Sequence, residues 1–276
     1  MSQLASMMIL TSGAAHAVVN AILKSGKDKM SSRALIDGSS AILVLPALFF
    51  LPPPHGAWGW LAASFAIHLV YLICLIKAFE GADMSAAYPI MRGSAPVLAS
   101  LFAVVVLGER LSASAAAGVG LVSAGTLLIA SGHRTNKRML LWALATGASI
   151  AAYTVVDAAG VRASPSAPSY IAWVFLSLGF GIGAIFAIWR GPAFLLAARA
   201  EWKAGLAAGA LSVVTYGLAL WAYRLDDVPR LAALRETSIL FGLLIAVLVL
   251  KERAPVLRIA GALTIALGAA ILLLTP

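Results

Sequence analysis

The stretch RGSAPVLASLFAVVVLGERLSASAAAG, Arg92 to Gly118, returns as RETSILFGLLIAVLVLKERAPVLRIAG, Arg235 to Gly261. The two align without a gap, each residue 143 positions from its mate. Arg92 falls on Arg235, Glu109 on Glu252, Arg110 on Arg253 and Gly118 on Gly261; beyond the stretch, Gly125 falls on Gly268. Apolar similarity matches Leu with Val, but it does not bring two arginines and two Glu-Arg loops into register. The chain is therefore a duplication. A weaker echo, at a different offset, pairs HAVVN (His16 to Asn20) with YTVVD (Tyr153 to Asp157).

The repeated stretch is an apolar run of spanning length followed by a charged loop, and runs of this kind fill the chain. Hydrophobic residues make up 62% of it and charged residues 11%, with mean hydropathy +0.96. A soluble domain clothes itself with about a quarter charged residues, so the solvent around most of this chain is lipid. Continuous apolar runs of about 20 residues predict spanning helices, not the alternating strands of a barrel. Ten are expected: Leu4–Leu23, Ala34–Leu51, Trp58–Phe79, Ala86–Leu107 and Ala113–Ala130, then Leu140–Ala159, Tyr170–Trp189, Ala204–Tyr223, Leu231–Leu250 and Leu257–Leu274. The first run has no basic stretch before it and holds His16 and Asn20, so it reads as a span and not as a cleaved signal.

The expected fold is an all-α integral membrane protein with ten transmembrane helices. Residues 1–132 and 139–276 form two five-helix repeats around a central cavity. Five is odd, so the second repeat enters the membrane from the opposite side and the repeats are inverted. The basic residues agree. Loops after odd-numbered spans hold fourteen of the twenty Lys and Arg, against four on the other face, with Arg92 and Arg235 inside the membrane. By the positive-inside rule the termini lie outside the cytoplasm. The formal charge of +9 is thus a topology signal and does not point to nucleic acid. The single cysteine, Cys74, excludes an intramolecular disulfide and a CxxC metal or redox site. No cofactor and no metal is expected, and no nucleophile motif, paired-His motif or Walker A sequence points to an enzyme or an ATP-driven pump.

Polar groups at membrane depth cost roughly 2.5–3.5 kcal/mol each on insertion scales, so they face protein or water and mark candidate pathways. His16, Asn20 and Lys24 share one face of the first span. The first two are candidate substrate ligands or interhelical glue, and Lys24 reads as snorkelling to the surface. Tyr153 and Asp157 are the corresponding pair in the sixth span, where Asp157 binds a substrate cation or a proton, or pairs with Arg162. Arg92, between Pro89 and Pro96 and one turn from Tyr88, is expected in a locally opened helix, gripping a carboxylate or held in a structural ion pair or carbonyl clamp. Arg235 is a candidate substrate ligand too, or structural support in a regular helix, with Glu236 not its automatic partner because adjacent residues diverge. Tyr71 with His68, and Tyr216 with Trp221, offer aromatic walls. Trp58, Trp60, Trp173, Trp189 and Trp202 read as interface residues. Glu109 and Glu252 are expected to cap the fifth and tenth helices.

Ten spans, a doubled five-helix unit, the loops LGERLS and LKERAP, HAVVNAILK in the first span and YPIMRGSAP in the fourth resemble the EamA type of the drug/metabolite transporter superfamily. Within it, the chain is similar to the YddG kind of amino-acid exporter. The resemblance covers nearly the whole chain. It implies a basket of helices around a cavity, a multi-pass protein of the bacterial inner membrane, and a small-molecule substrate, amino acids foremost. It also implies cytoplasmic termini, against the charge count. Other readings are a drug or sugar-type metabolite carrier, a membrane-embedded enzyme, a channel or a lipid scramblase. A monomer would suffice, and the sequence does not fix the oligomeric state.

Overall fold

The computed structural model describes residues 2–25, 29–80, 84–130, 136–190, 192–249, 251 and 255–275. Within these, side chains at 21–25, 29–34, 84–86, 130, 186–187, 189–190 and 192–201 are outside the description. Lys24, Trp189 and Glu252 therefore fall outside it.

The helices are α1 (Gln3–Ser25), α2 (Lys29–Val44, running into a 3-10 turn at Leu45–Phe49), α3 (Trp58–Phe79), α4 (Met84–Phe102), α5 (Ala113–Ala130), α6 (Lys137–Ala163), α7 (Ala167–Arg190), α8 (Pro192–Leu225), α9 (Val228–Arg235), α10 (Ser238–Leu244) and α11 (Val256–Leu274). No strand occurs among the described residues. Among the described residues, seven helical stretches are long and apolar enough to cross a membrane, and Leu35–Phe49 and Ala113–Ile129 are shorter apolar helices. The ninth expected span is the two helices α9 and α10, which together run from Val228 to Val249 with a short π segment.

Local chemistry sets the ends. Asn136 accepts the Met139 amide at 2.7 Å and caps α6. Ser112 accepts the Ala115 amide at 3.2 Å and caps α5, a part the sequence reading gave to Glu109. Glu109 instead reaches across the bundle. Its Oε2 accepts the Val228 amide at 2.8 Å at the start of α9, where the N-terminus of a helix favours a negative charge. Its Oε1 accepts from Arg162 Nη1 at 2.6 Å. Arg162 also donates to the carbonyls of Tyr223 and Asp226, so one residue ties α6 to the end of α8 and, through Glu109, to α9.

The duplication is visible in the backbone. π segments occur at Ala103–Leu107 and Ile245–Val249, each at the end of the repeated apolar run. Gly108 (φ 68°) and its mate Lys251 (φ 54°) both stop that run in the left-handed region. Lys251 is the one non-glycine residue with positive φ among those described.

Small residues set the closest packing. An added Cβ on Gly125 would lie 2.6 Å from the Gly261 carbonyl, and one on Gly268 would lie 2.8 Å from the Gly118 carbonyl. Gly118 thus meets Gly268 while Gly125 meets Gly261, so α5 and α11 run antiparallel. These are mated helices touching through mated glycines, a self-complementary contact like that across a two-fold axis. With lipid as solvent, such backbone approach is a main source of helix association. α1 and α8 are joined by reciprocal hydrogen bonds, Ser12 Oγ to the Thr215 carbonyl and Thr215 Oγ1 to the Ser12 carbonyl, both 2.5 Å.

Candidate functional site

The prolines and the helix break are found in opposite copies of the repeat. Pro89 and Pro96 both lie inside α4, yet α4 is continuous around Arg92. Each proline removes the donor for the carbonyl four residues earlier, those of Ser85 and Arg92; the hydroxyls of Ser94 and Ser100 donate elsewhere, to the carbonyls of Ile90 at 2.9 Å and Pro96 at 2.8 Å. The expected opening at Arg92 is absent. The break comes instead at the proline-free mate, where α9 ends at Arg235. Glu236 and Thr237 form i→i−3 bonds to Ala233 and Leu234, and Thr237 Oγ1 donates to the Leu234 carbonyl at 2.7 Å. Gly13 of α1 packs on this turn, where an added Cβ would sit 3.2 Å from Thr237 Oγ1 and 3.3 Å from the Ser238 amide.

The break turns Glu236 toward α4. Its Oε2 lies 3.0 Å from Arg92 Nε, both side chains almost fully buried. The N–H is off-axis, so this is an ion pair without a hydrogen bond between those atoms. Arg92 Nη2 donates to Ser238 Oγ at 3.2 Å. Tyr71, Tyr88 and Tyr153 stand near enough to feel the Arg92 charge. Tyr88 accepts from Asn20 Nδ2 at 3.3 Å, bringing α1 to the group. His16 is partly buried on α1, one turn from Asn20.

An aromatic cage adjoins the arginines. His68 stacks on Tyr153 with centroids 4.2 Å apart and planes at 22°. Its Nδ1 donates to the Ser64 carbonyl at 2.8 Å. Tyr71 meets Tyr153 edge-on at 5.7 Å, and Tyr216 meets Tyr153 and His68 edge-on, each at 6.4 Å. Arg235 lies over the Tyr216 ring, its guanidinium carbon 5.2 Å from the centroid.

Asp157 is fully buried, and phenols engage both of its oxygens. Tyr170 donates to Oδ1 at 2.9 Å, and Tyr216 donates to Oδ2. Tyr170 reaches it by lying across Gly160, where an added Cβ would fall 2.3 Å from the ring. Arg162 is engaged with Glu109 and backbone carbonyls, so the alternative pairing of Asp157 with Arg162 is not formed.

Of the ten candidates, Tyr71, Tyr88, Arg92, Tyr153, Asp157, Tyr216 and Arg235 come together and Asn20 joins through Tyr88. Trp221 does not. It is 39% exposed on α8, because five residues from Tyr216 is well off that residue's face. Glu236 as the Arg92 partner and Tyr170 as an Asp157 donor were missed. A carboxylate inside an apolar span is a visible signal for Glu236, whereas Tyr170, at a span's edge, carries none. No group of three or more His, Cys, Asp or Glu suited to a metal occurs among the described residues.

A bundle of apolar helices built from a doubled unit, with buried charges between the copies, is the architecture of a small-molecule membrane transporter. The model of the EamA-like transporter family matches the chain twice, over residues 3–131 and 137–274, and the chain belongs to that family, within the drug/metabolite transporter superfamily. No curated protein matches it. A solved structure titled only as the crystal structure of a protein superposes with TM-score 0.75 at 20% identity, covering 99% of both chains; it shows the fold alone.

Proposed function

We propose that this protein is a secondary carrier of small metabolites bearing a carboxylate and an apolar or aromatic side chain, amino acids foremost, moved outward by alternating access. The observation that carries this reading is the buried group of Arg92, Glu236 and Arg235 against the cage of His68, Tyr71, Tyr153 and Tyr216. Charges in a span are kept where they do work, and a guanidinium offers a planar fork that fits a carboxylate. The aromatic rings beside it suit an apolar side chain.

Alternating access is supported by the antiparallel contact of mated helices α5 and α11, which fits two inverted five-helix repeats, residues 1–132 and 139–276. Inverted repeats let a carrier rock about a site near the membrane midplane. Arg235 sits eight residues into the Val228–Val249 stretch, about 12 Å along it, which suits such a depth. The setting is the bacterial inner membrane, and the subgroup is the amino-acid exporters.

Counterflow in proteoliposomes tests the reading. Labelled L-leucine or L-phenylalanine should accumulate against unlabelled internal substrate and saturate. Uptake that is linear in concentration and indifferent to internal substrate would mark a channel or a leak and sink the carrier reading.

A further inference from the structure

Two guanidinium groups and one carboxylate share the break between α9 and α10, and they are not shared evenly. Arg92 has Glu236 at 3.0 Å and Ser238, from the same turn, on Nη2. Arg235 has the face of Tyr216 and, in hydrogen-bonding reach, the hydroxyl of Tyr223, both uncharged. The Nε of Arg235, in a residue only 7% exposed, and that of Arg92 both lack a hydrogen-bond partner among the described residues, but only Arg92 Nε has a carboxylate oxygen at ion-pair distance. Asp157 is nearby through Tyr216, but both its oxygens are taken by phenols. A buried guanidinium with a donor to spare is an incomplete anion site.

Packing explains why the ratio is two to one. The repeat mate of Glu236 is Gly93. An added Cβ there would lie 2.8 Å from Leu127 Cγ and 3.2 Å from the Ser123 carbonyl, so the first copy has no room for a second carboxylate.

We propose that Arg235 receives the substrate carboxylate, and that Glu236 is a resident carboxylate that keeps Arg92 occupied and so limits the site to monocarboxylates. This rests on the carrier reading above. Two consequences follow from charge alone. Removing the Glu236 charge frees Arg92 for a second carboxylate, so Glu236→Gln becomes a dicarboxylate binder. Removing Arg92 leaves Glu236 with Arg235 as its other cation, so Glu236 competes for the substrate's place although Arg92 never touches substrate.

The experiment is equilibrium binding of L-leucine, leucinol (no carboxylate) and L-glutamate to purified wild type, Arg235→Gln, Glu236→Gln, Arg92→Ala and the Arg92→Ala/Glu236→Gln double variant, each checked by thermal melting. Arg235→Gln should lose about tenfold or more in L-leucine affinity and its preference over leucinol. Glu236→Gln should gain L-glutamate affinity by about tenfold, and the double variant should recover the L-leucine affinity that Arg92→Ala loses. A merely structural Arg92 would not be rescued by a second substitution. Wild type binding leucinol as tightly as L-leucine overturns the carboxylate reading itself. Wild type preferring L-leucine, with that preference kept in Arg235→Gln, overturns only the assignment to Arg235. Should Arg235→Gln not fold, the isosteric Glu236→Gln and the double variant decide alone: no L-glutamate gain and no rescue overturn the proposal.

Discussion

Arg92 Nε stands 3.0 Å from Glu236 Oε2, an ion pair that joins the two copies of the repeat one residue away from Arg92's own mate, Arg235. Equivalent positions of the copies thus face a common point, while the groups they present differ. Breaking a buried pair by removing one partner leaves the other charge stranded, at about 3–5 kcal/mol in measured cases. Substitutions at this point therefore need partner variants before a loss of function can be read.

The glycine contact between α5 and α11 predicts a sharp positional contrast. Gly125→Ala pushes a methyl group against the Gly261 carbonyl and should lower stability by about 1–3 kcal/mol. Gly120 is exposed on the same helix with nothing within 4 Å of an added Cβ, so Gly120→Ala should leave stability unchanged or raise it by up to about 1 kcal/mol. Melting temperatures in detergent compare them, and equal melts would discount the close contact.

Asp157 depends on two phenols. Tyr216→Phe keeps the ring beneath Arg235 but withdraws one donor from a buried carboxylate, at about 1.5–3 kcal/mol. Gly160→Ala displaces the Tyr170 ring and should cost a similar amount by removing the other donor. Denaturation of both single variants and the double measures this; costs that simply add would argue against a shared carboxylate.

Glu109 gives a pH dependence whose sign is fixed. Burial holds its carboxyl above the ordinary 4.5, although Arg162 and the Val228 amide pull it back. A carboxyl that binds its proton more tightly folded than unfolded adds stability as pH falls from that raised value toward 4.5, and loses it as pH rises again. The melting temperature of wild type minus that of Glu109→Gln should therefore grow between about pH 7 and about pH 4.5. A difference that shrinks on acidification would show that the charged contact with Arg162 dominates.

Orientation is tested by labelling. If the positive-inside reading holds, a cysteine replacing Thr135, in a Cys74→Ala background, is shielded from impermeant thiol reagents in intact cells and reacts in inverted vesicles. Reaction in intact cells reverses the orientation and leaves the fold untouched.

The sequence by itself determined the solvent, the doubling and most of the helices. Trp58–Phe79 and Ala113–Ala130 appear with the predicted limits, because span length and apolarity are local properties that lipid reads directly. It also marked most of the clustered polar residues, since groups costly to bury in lipid stand out one by one. Tertiary structure alone decided their partners. Two prolines suggested an opened helix at Arg92, but α4 runs on through both and the break falls at Glu236, where Gly13 of α1 packs on the turn. Glu109 looked like the cap of the helix that follows it and instead serves α9 and Arg162. Each of these outcomes depends on which groups meet across the bundle. That is a matter of distance between segments far apart in the chain, and no spacing within one segment encodes it.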